Sequence, residues 1–504
     1  MAAKQFIGGT GAGEWNTNAN WAGGAFAING DTVTFAATAN PLKVNVASAC
    51  TSIDFTGFTG TTNMAATLTV AGNVTLVAGM GVISGASALI VSTTSTLKSN
   101  AKTWVPPLTL LAGAVTYTLA DAWTVTGNLT ISLSTTVNGF SFTTGGNLSA
   151  PNSLSGTTTY TMNGTGTLSA STGIPNLTIN TAGTITLSGI ISIKTSLTIT
   201  ACGTLTQGTS TVGFITAAFT FTDSVGVVFY NVTTLVATVT VTLASNLKCS
   251  NNFAGGLTST WNGAYTIYCV NYTYGANGIA GTATVEMNGG GALNLAGTLS
   301  GTGNNTMNLV FNSGANNITC NTTIGRNGGT VTYTSGTMVM TSSTLSLTGS
   351  TTLNTNGMSW NNITVQTTGG TTYTLNSLLT ATGTYTSTIS HTWAGSYGWL
   401  FTNQTCITAG ITVTFANGVT YTISSGSMTN TGTAASKILF TSDHATIKAI
   451  LTLTGVIEAN VYLSGTRMDS SLGATVWTVG GVLTTTLNWN LLTAPGTVAS
   501  GFVS

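Results

Sequence analysis

Apolar and polar residues alternate with a period of two through most of the chain. Leu68-Thr69-Val70, Leu129-Thr130-Ile131, Leu197-Thr198-Ile199 and Ile411-Thr412-Val413-Thr414-Phe415 are representative. Successive side chains on a strand point to opposite faces, so this pattern predicts short strands with one apolar and one hydroxyl-bearing face. Gly, Asn and Ser clusters separate the strands, as turns require. Helical periodicity does not persist beyond about two turns anywhere.

A longer self-similarity lies over the alternation. Pro107-Leu108-Thr109-Leu110 leads to Tyr117-Thr118-Leu119, Asn176-Leu177-Thr178-Ile179 to Ile185-Thr186-Leu187, and Asn362-Ile363-Thr364-Val365 to Tyr373-Thr374-Leu375. A second echo joins the segments 162–168 and 287–293. Start-to-start distances are unequal, which disfavours a propeller of fixed blades. A solenoid tolerates it, because turns between rungs can lengthen without disturbing the stack. The expected fold is all-β: a parallel β-helix or β-solenoid of short irregular rungs, with an array of β-sandwiches as the alternative. The expected organisation is a cap at 1–40, a repetitive solenoid at 41–383 and a divergent, aromatic-richer β domain at 384–504.

Composition supports this reading. Ten basic and nine acidic residues make only 4% of 504 residues charged, while 42% are apolar. Soluble proteins average about a quarter charged, so helices with Glu- and Lys-rich wet faces are excluded. Disorder is excluded as well, because it combines low hydrophobicity with high charge. Stacked rungs explain the scarcity: outward residues one rung apart lie about 4.8 Å from each other, and like charges there repel. Thr, Ser and Asn form hydrogen-bonded ladders instead.

The formal charge of +1, with charges scattered singly, gives no footprint for nucleic acid and no polybasic membrane motif. Mean hydropathy is positive, yet no apolar run approaches the 18 or more residues of a spanning helix. The N-terminus has one Lys and no apolar leader core, so the expectation is a chain without a secretory signal.

Candidate chemistry is thin. Cys50, Cys202, Cys249, Cys269, Cys320 and Cys406 form no CxxC pair, and His391 and His444 are the only histidines. A zinc site is therefore not expected, and neither is any metal or cofactor. The cysteines read as buried free thiols, with a Cys249–Cys269 bridge between rungs as the alternative. Among the carboxylates, Asp31 with Asp54, and Asp443 with Glu458 or Asp469, could stack one rung apart, close enough for a glycosidase pair. The contrary reading is that each caps a turn. Asp443 and His444 point to opposite strand faces and make a poor dyad. The cluster His391-Thr392-Trp393 with Tyr397 and Trp399 offers flat rings that would stack on a sugar. The opposing reading is an aromatic plug. Trp15, Trp21 and Asp31 are the candidate cap and attachment residues.

Several segments carry a resemblance. Met1-Ala2-Ala3-Lys4-Gln5-Phe6-Ile7 with Trp15, Asn20-Trp21 and Asp31-Thr32-Val33-Thr34-Phe35 resembles the N-terminus of β-solenoid structural proteins of tailed bacteriophage virions. The segment 50–60 resembles a rung that often follows it. The segments 418–423, 432–436 and 469–474, with Asn488-Trp489, are similar to closing rungs of the same proteins. The Pro usual between Trp21 and Asp31 is replaced here by Ala25–Ile28. The resemblance implies a non-enzymatic fibre or capsid decoration, made in the host cytoplasm and carried on the virion. It also implies partnership with other virion proteins and contact with a host-surface glycan. Homo-oligomers are the general expectation, and a trimer is the form expected of a fibre. A bacterial surface adhesin and a tailspike-type polysaccharide depolymerase are the competing classes.

Overall fold

The computed structural model describes residues 2–8, 13–37, 40–236, 238–256, 258–274, 279–287, 297–320, 322–366, 370–424, 428–433 and 435–453. Beyond these it describes only strand backbone at 463–466, 468–469, 477–479, 483–484, 489–494 and 497–498. Strands dominate, no α-helix occurs among the described residues, and the chain winds as a parallel β-solenoid of about 20 turns. The parallel ladders exclude the sandwich alternative. By contact density the chain divides into two compact units, 1–248 and 249–504.

In the first unit each turn contributes strands to three faces. The first face stacks Ala3–Phe6, Thr32–Phe35, Ser52–Asp54, Val74–Thr75, Ser95–Lys98, Thr116–Leu119, Thr135–Gly139 and Leu154–Ser155. The second begins with Leu42–Val44, Thr62–Met64 and Ile83–Gly85. The third places Ser48, Leu68, Leu89, Leu108, Leu129, Leu148 and Leu168 in register, 19 to 21 residues apart. The five leucines from Leu68 to Leu148 are all at most 2% exposed, and they stack on one another inside the coil. Their outward neighbours form the parallel row Thr69, Ile90, Thr109, Thr130 and Ser149. Alternation along the strand and stacking between turns therefore generate the core together.

The unequal repeat distances have a structural cause. Leu108–Leu110 lies on the third face, whereas Asn176–Ile179 pairs with Thr159–Met162, which pairs with Phe142–Thr144 in a different ladder. Similar sequences thus occupy different faces, and their spacing is no whole number of turns.

The second unit repeats the logic. Ile267, Val285, Leu309, Val331, Leu353 and Leu375 are register partners, all buried. Ile324, Leu345, Ile363, Tyr385 and Gln404 form a second buried ladder. The boundary expected at 383 falls within the strand Leu379–Ser387, and parallel pairing continues past it to Met428–Asn430 and Ala449–Leu453.

Close stacking demands glycine at the corners. Gly139 and Gly395 have φ of +99° and +103°, and each sits opposite a Leu of the preceding turn. A Cβ there would fall 2.2 Å from the Leu119 carbonyl oxygen and 2.3 Å from that of Leu375. Only glycine meets both conditions.

Candidate functional site

The N-terminal cap is built by a chain reversal. The strand Ala3–Phe6 pairs in parallel with Thr32–Phe35 on one edge. On its other edge, Ile7 N donates to Asn20 O and Ala22 N to Gln5 O, both at 2.9 Å, in an antiparallel bridge. The cap segment thus occupies backbone groups that would otherwise be an open edge. Trp15 and Trp21 are buried, 5.0 Å apart in a T-shaped pair, and Trp21 packs on Phe6. Both indoles are satisfied: Trp15 Nε1 donates to Ala27 O at 3.1 Å and Trp21 Nε1 to Trp15 O at 2.7 Å. Asp31 accepts from Ile28 N at 3.2 Å and Ala2 N at 3.1 Å. Those backbone bonds, Ile28 first, hold its carboxyl below the usual value. The three residues expected in a cap therefore lie together, as parts of one hydrogen-bonded lid. The segment expected as cap at 1–40 also contains two strands already in the first-face ladder.

The aromatic cluster of the second unit lies elsewhere than a binding surface requires. In His391–Gly395 the inward positions are His391 and Trp393, and in Trp399–Cys406 they include Trp399 and Phe401. Trp393 and Trp399 have no exposed surface, which corrects the expectation that their faces stack on a sugar. Tyr373, Trp393 and Phe415 follow one another in register, and Trp399 stacks on Phe401 with centroids 4.3 Å apart and planes 8° from parallel. Alternation explains the placement: both Trp share parity with the buried residues of their strands. Tyr397, in the turn between them, is half exposed. Of the three candidates it alone presents its ring to solvent.

His391 is enclosed by this cluster. Its Nδ1 lies 2.9 Å from the Ile389 carbonyl, which can only accept, so Nδ1 carries the proton. Nε2 then accepts from the Tyr385 hydroxyl at 2.6 Å. Burial pulls its pKa down to about 4, against a small upward effect of the Ile389 bond. His391 is thus a neutral core residue at pH 7.

The described carboxylates are engaged in local structure. Asp121 accepts from Ser99 N and Asn100 N, both at 2.6 Å. Asp223 accepts from Val225 N at 2.9 Å and Gly226 N at 2.8 Å, and Asp443 from Asn417 N at 2.8 Å. Asp54 accepts from Thr56 N at 2.9 Å, Glu286 from Asn312 Nδ2 at 2.8 Å, and Glu14 pairs with Lys43 at 3.4 Å. The expected stacking of Asp31 with Asp54 does not occur: Asp54 lies opposite Thr34, while Asp31 O accepts from Thr51 N. Glu458 lies outside the described residues, and Asp469 is placed opposite Ile450.

The six cysteines are free, and all but Cys202 are buried. Burial pushes Cys50 and Cys406 up to about 12 and Cys320 up to about 11, so these thiols stay protonated and unreactive at neutral pH. Cys249 Sγ lies 3.6 Å from the Tyr268 carbonyl, in the geometry of a weak S–H donor.

Two shallow grooves mark the outer wall. One, of about 340 Å³, is lined by hydroxyls from three successive turns of the first face: Thr116, then Ser134, Thr135 and Thr136, then Ser153 and Ser155. Within it Thr136 Oγ1 and Ser155 Oγ are 2.7 Å apart. The other, of about 420 Å³, lies in the second unit beside Met338, Met340, Trp360, Asn361 and Thr382. Pattern reading did not single out these places, because alternation reports which residues face outward but not where the wall is concave. Arg326, buried inside the second unit, was also missed, although its parity with Ile324 in Thr323–Arg326 places it inward.

No family model, curated protein or solved structure matches the chain.

Proposed function

We propose that the chain is a non-enzymatic structural protein of a phage virion, a β-solenoid displayed as a fibre or capsid decoration. The observation that carries this reading is how its few carboxylates are used. Asp31, Asp54, Asp121, Asp223 and Asp443 each accept backbone N–H bonds at turns. They act as fasteners of the coil, and its outward rows are Thr, Ser and Asn. The N-terminal resemblance supplies the virion context, and the Trp15–Trp21 lid supplies a closed first rung from which attachment can be made. Tyr397 and the hydroxyl groove of the first unit are the surface features suited to contact with a host glycan, through ring stacking and hydroxyl hydrogen bonds respectively.

Immunogold labelling of purified phage particles from a culture producing the chain tests the proposal. Gold on tail or capsid supports it. Gold confined to bacterial envelopes would favour the adhesin, and release of reducing sugar from host capsule by the purified chain would favour the depolymerase.

A further inference from the structure

Arg326 has no exposed surface. It occupies an inward position of the second buried ladder, between Asn305 of the preceding turn and Leu347 of the next. Its Nη2 donates to Met307 O and, at 3.0 Å, to Gly328 O. The remaining donors, Nε–H and the Nη1 pair, have no partner.

The surroundings are polar yet supply no negative charge. Tyr274 donates to Gly325 O at 3.1 Å. Asn305 accepts from Met307 N at 2.9 Å through Oδ1 and donates to the Tyr272 hydroxyl at 2.7 Å. Both phenols feel the guanidinium charge, but burial holds both protonated. Glu286, the carboxylate nearest in sequence, points outward and bonds Asn312. The stretch 288–304 contains no Asp or Glu.

An arginine keeps its charge in proteins, and an isolated buried charge is heavily penalised unless paired. A water molecule could satisfy the donors but not the charge. We propose that the interior beside Arg326 holds one small monovalent anion of the halide class, bound by Nε–H and Nη1–H. This anion completes the ion pair that the chain leaves open. Donors in excess, acceptors already occupied and full enclosure select a small anion that donates no hydrogen bonds.

The test is a crystal of the full chain grown in bromide, with anomalous data at the bromine edge. An anomalous peak within hydrogen-bonding reach of Nε and Nη1 supports the site. Water density, or none, at that position overturns it. In solution, thermal unfolding is compared in chloride and in gluconate at equal ionic strength. The native chain should melt higher in chloride by about 2–4 °C or more. Arg326→Met should show no such difference. If that variant fails to fold, Arg326→Lys and the native-chain crystal decide, and equal melting of the native chain in both salts contradicts the proposal.

Discussion

The phenolic oxygen of Tyr385 and Nε2 of His391 lie 2.6 Å apart, sealed inside the second unit among Tyr373 and Trp393. This pair holds the imidazole neutral, which has a consequence for acid stability. The folded pKa is about 4, below the unfolded value of 6.5. The unfolded chain therefore binds a proton first as pH falls. Stability is unaffected above pH 6.5 and declines between pH 6.5 and 4, by a total of about 3 kcal/mol. Urea unfolding of the native chain and of His391→Gln at pH 7 and pH 4.5 measures this. The variant should show the smaller acid loss, and equal losses would contradict the enclosed neutral histidine.

Trp399 and Tyr397 are two residues apart but have opposite roles. Trp399→Ala removes a fully buried indole stacked on Phe401 and should destabilise the second unit by about 3–5 kcal/mol. Tyr397→Ala removes a half-exposed ring and should change stability by no more than about 0.5 kcal/mol. Hydrogen exchange of the strands around 399–406 distinguishes the two.

Thr109 and Thr130 are outward register partners one turn apart. Placing Lys at both should destabilise by up to about 1 kcal/mol, whereas Thr109→Lys with Thr130→Glu should not. The difference should shrink as salt is added. Melting temperatures at low and high ionic strength read it directly. A double-Lys variant as stable as the native chain would remove the explanation offered for the scarcity of charge.

Asp121 fastens the turn at Ser99 and Asn100, where Asn100 and Ala101 both have positive φ. Asp121→Ala leaves two backbone donors without their carboxylate and should cost about 1–3 kcal/mol. Protease cleavage near residue 100 should accelerate in this variant, and an unchanged rate would count against the fastening role.

The strands and their buried faces could be read from the chain because period-two alternation depends only on local parity. Leu68-Thr69-Val70 and Trp123-Thr124-Val125 declare their inward residues without any tertiary information. The same rule, applied strictly to His391-Thr392-Trp393, places the histidine and tryptophan on one side of the strand. What it does not give is which side is the interior, and so Trp393 and Trp399 read equally well as a surface. Turn length was obscured because similar segments such as 107–110 and 176–179 sit on different faces. The Asp31–Asp54 stack failed because register is fixed by the pairing of Thr34 with Asp54, a long-range property invisible to local pattern. The groove at Thr116, Thr135 and Ser155 depends on turn curvature, which alternation does not encode.

The central claim is that this solenoid is a building element of a phage particle. Electron cryomicroscopy of purified particles that carry the chain tests it most directly. The account predicts density outside the capsid shell or along the tail, layered at about 4.8 Å, into which the three-faced turns of the first unit fit in register. Particles resolved to that level with every density assigned to other chains would contradict it.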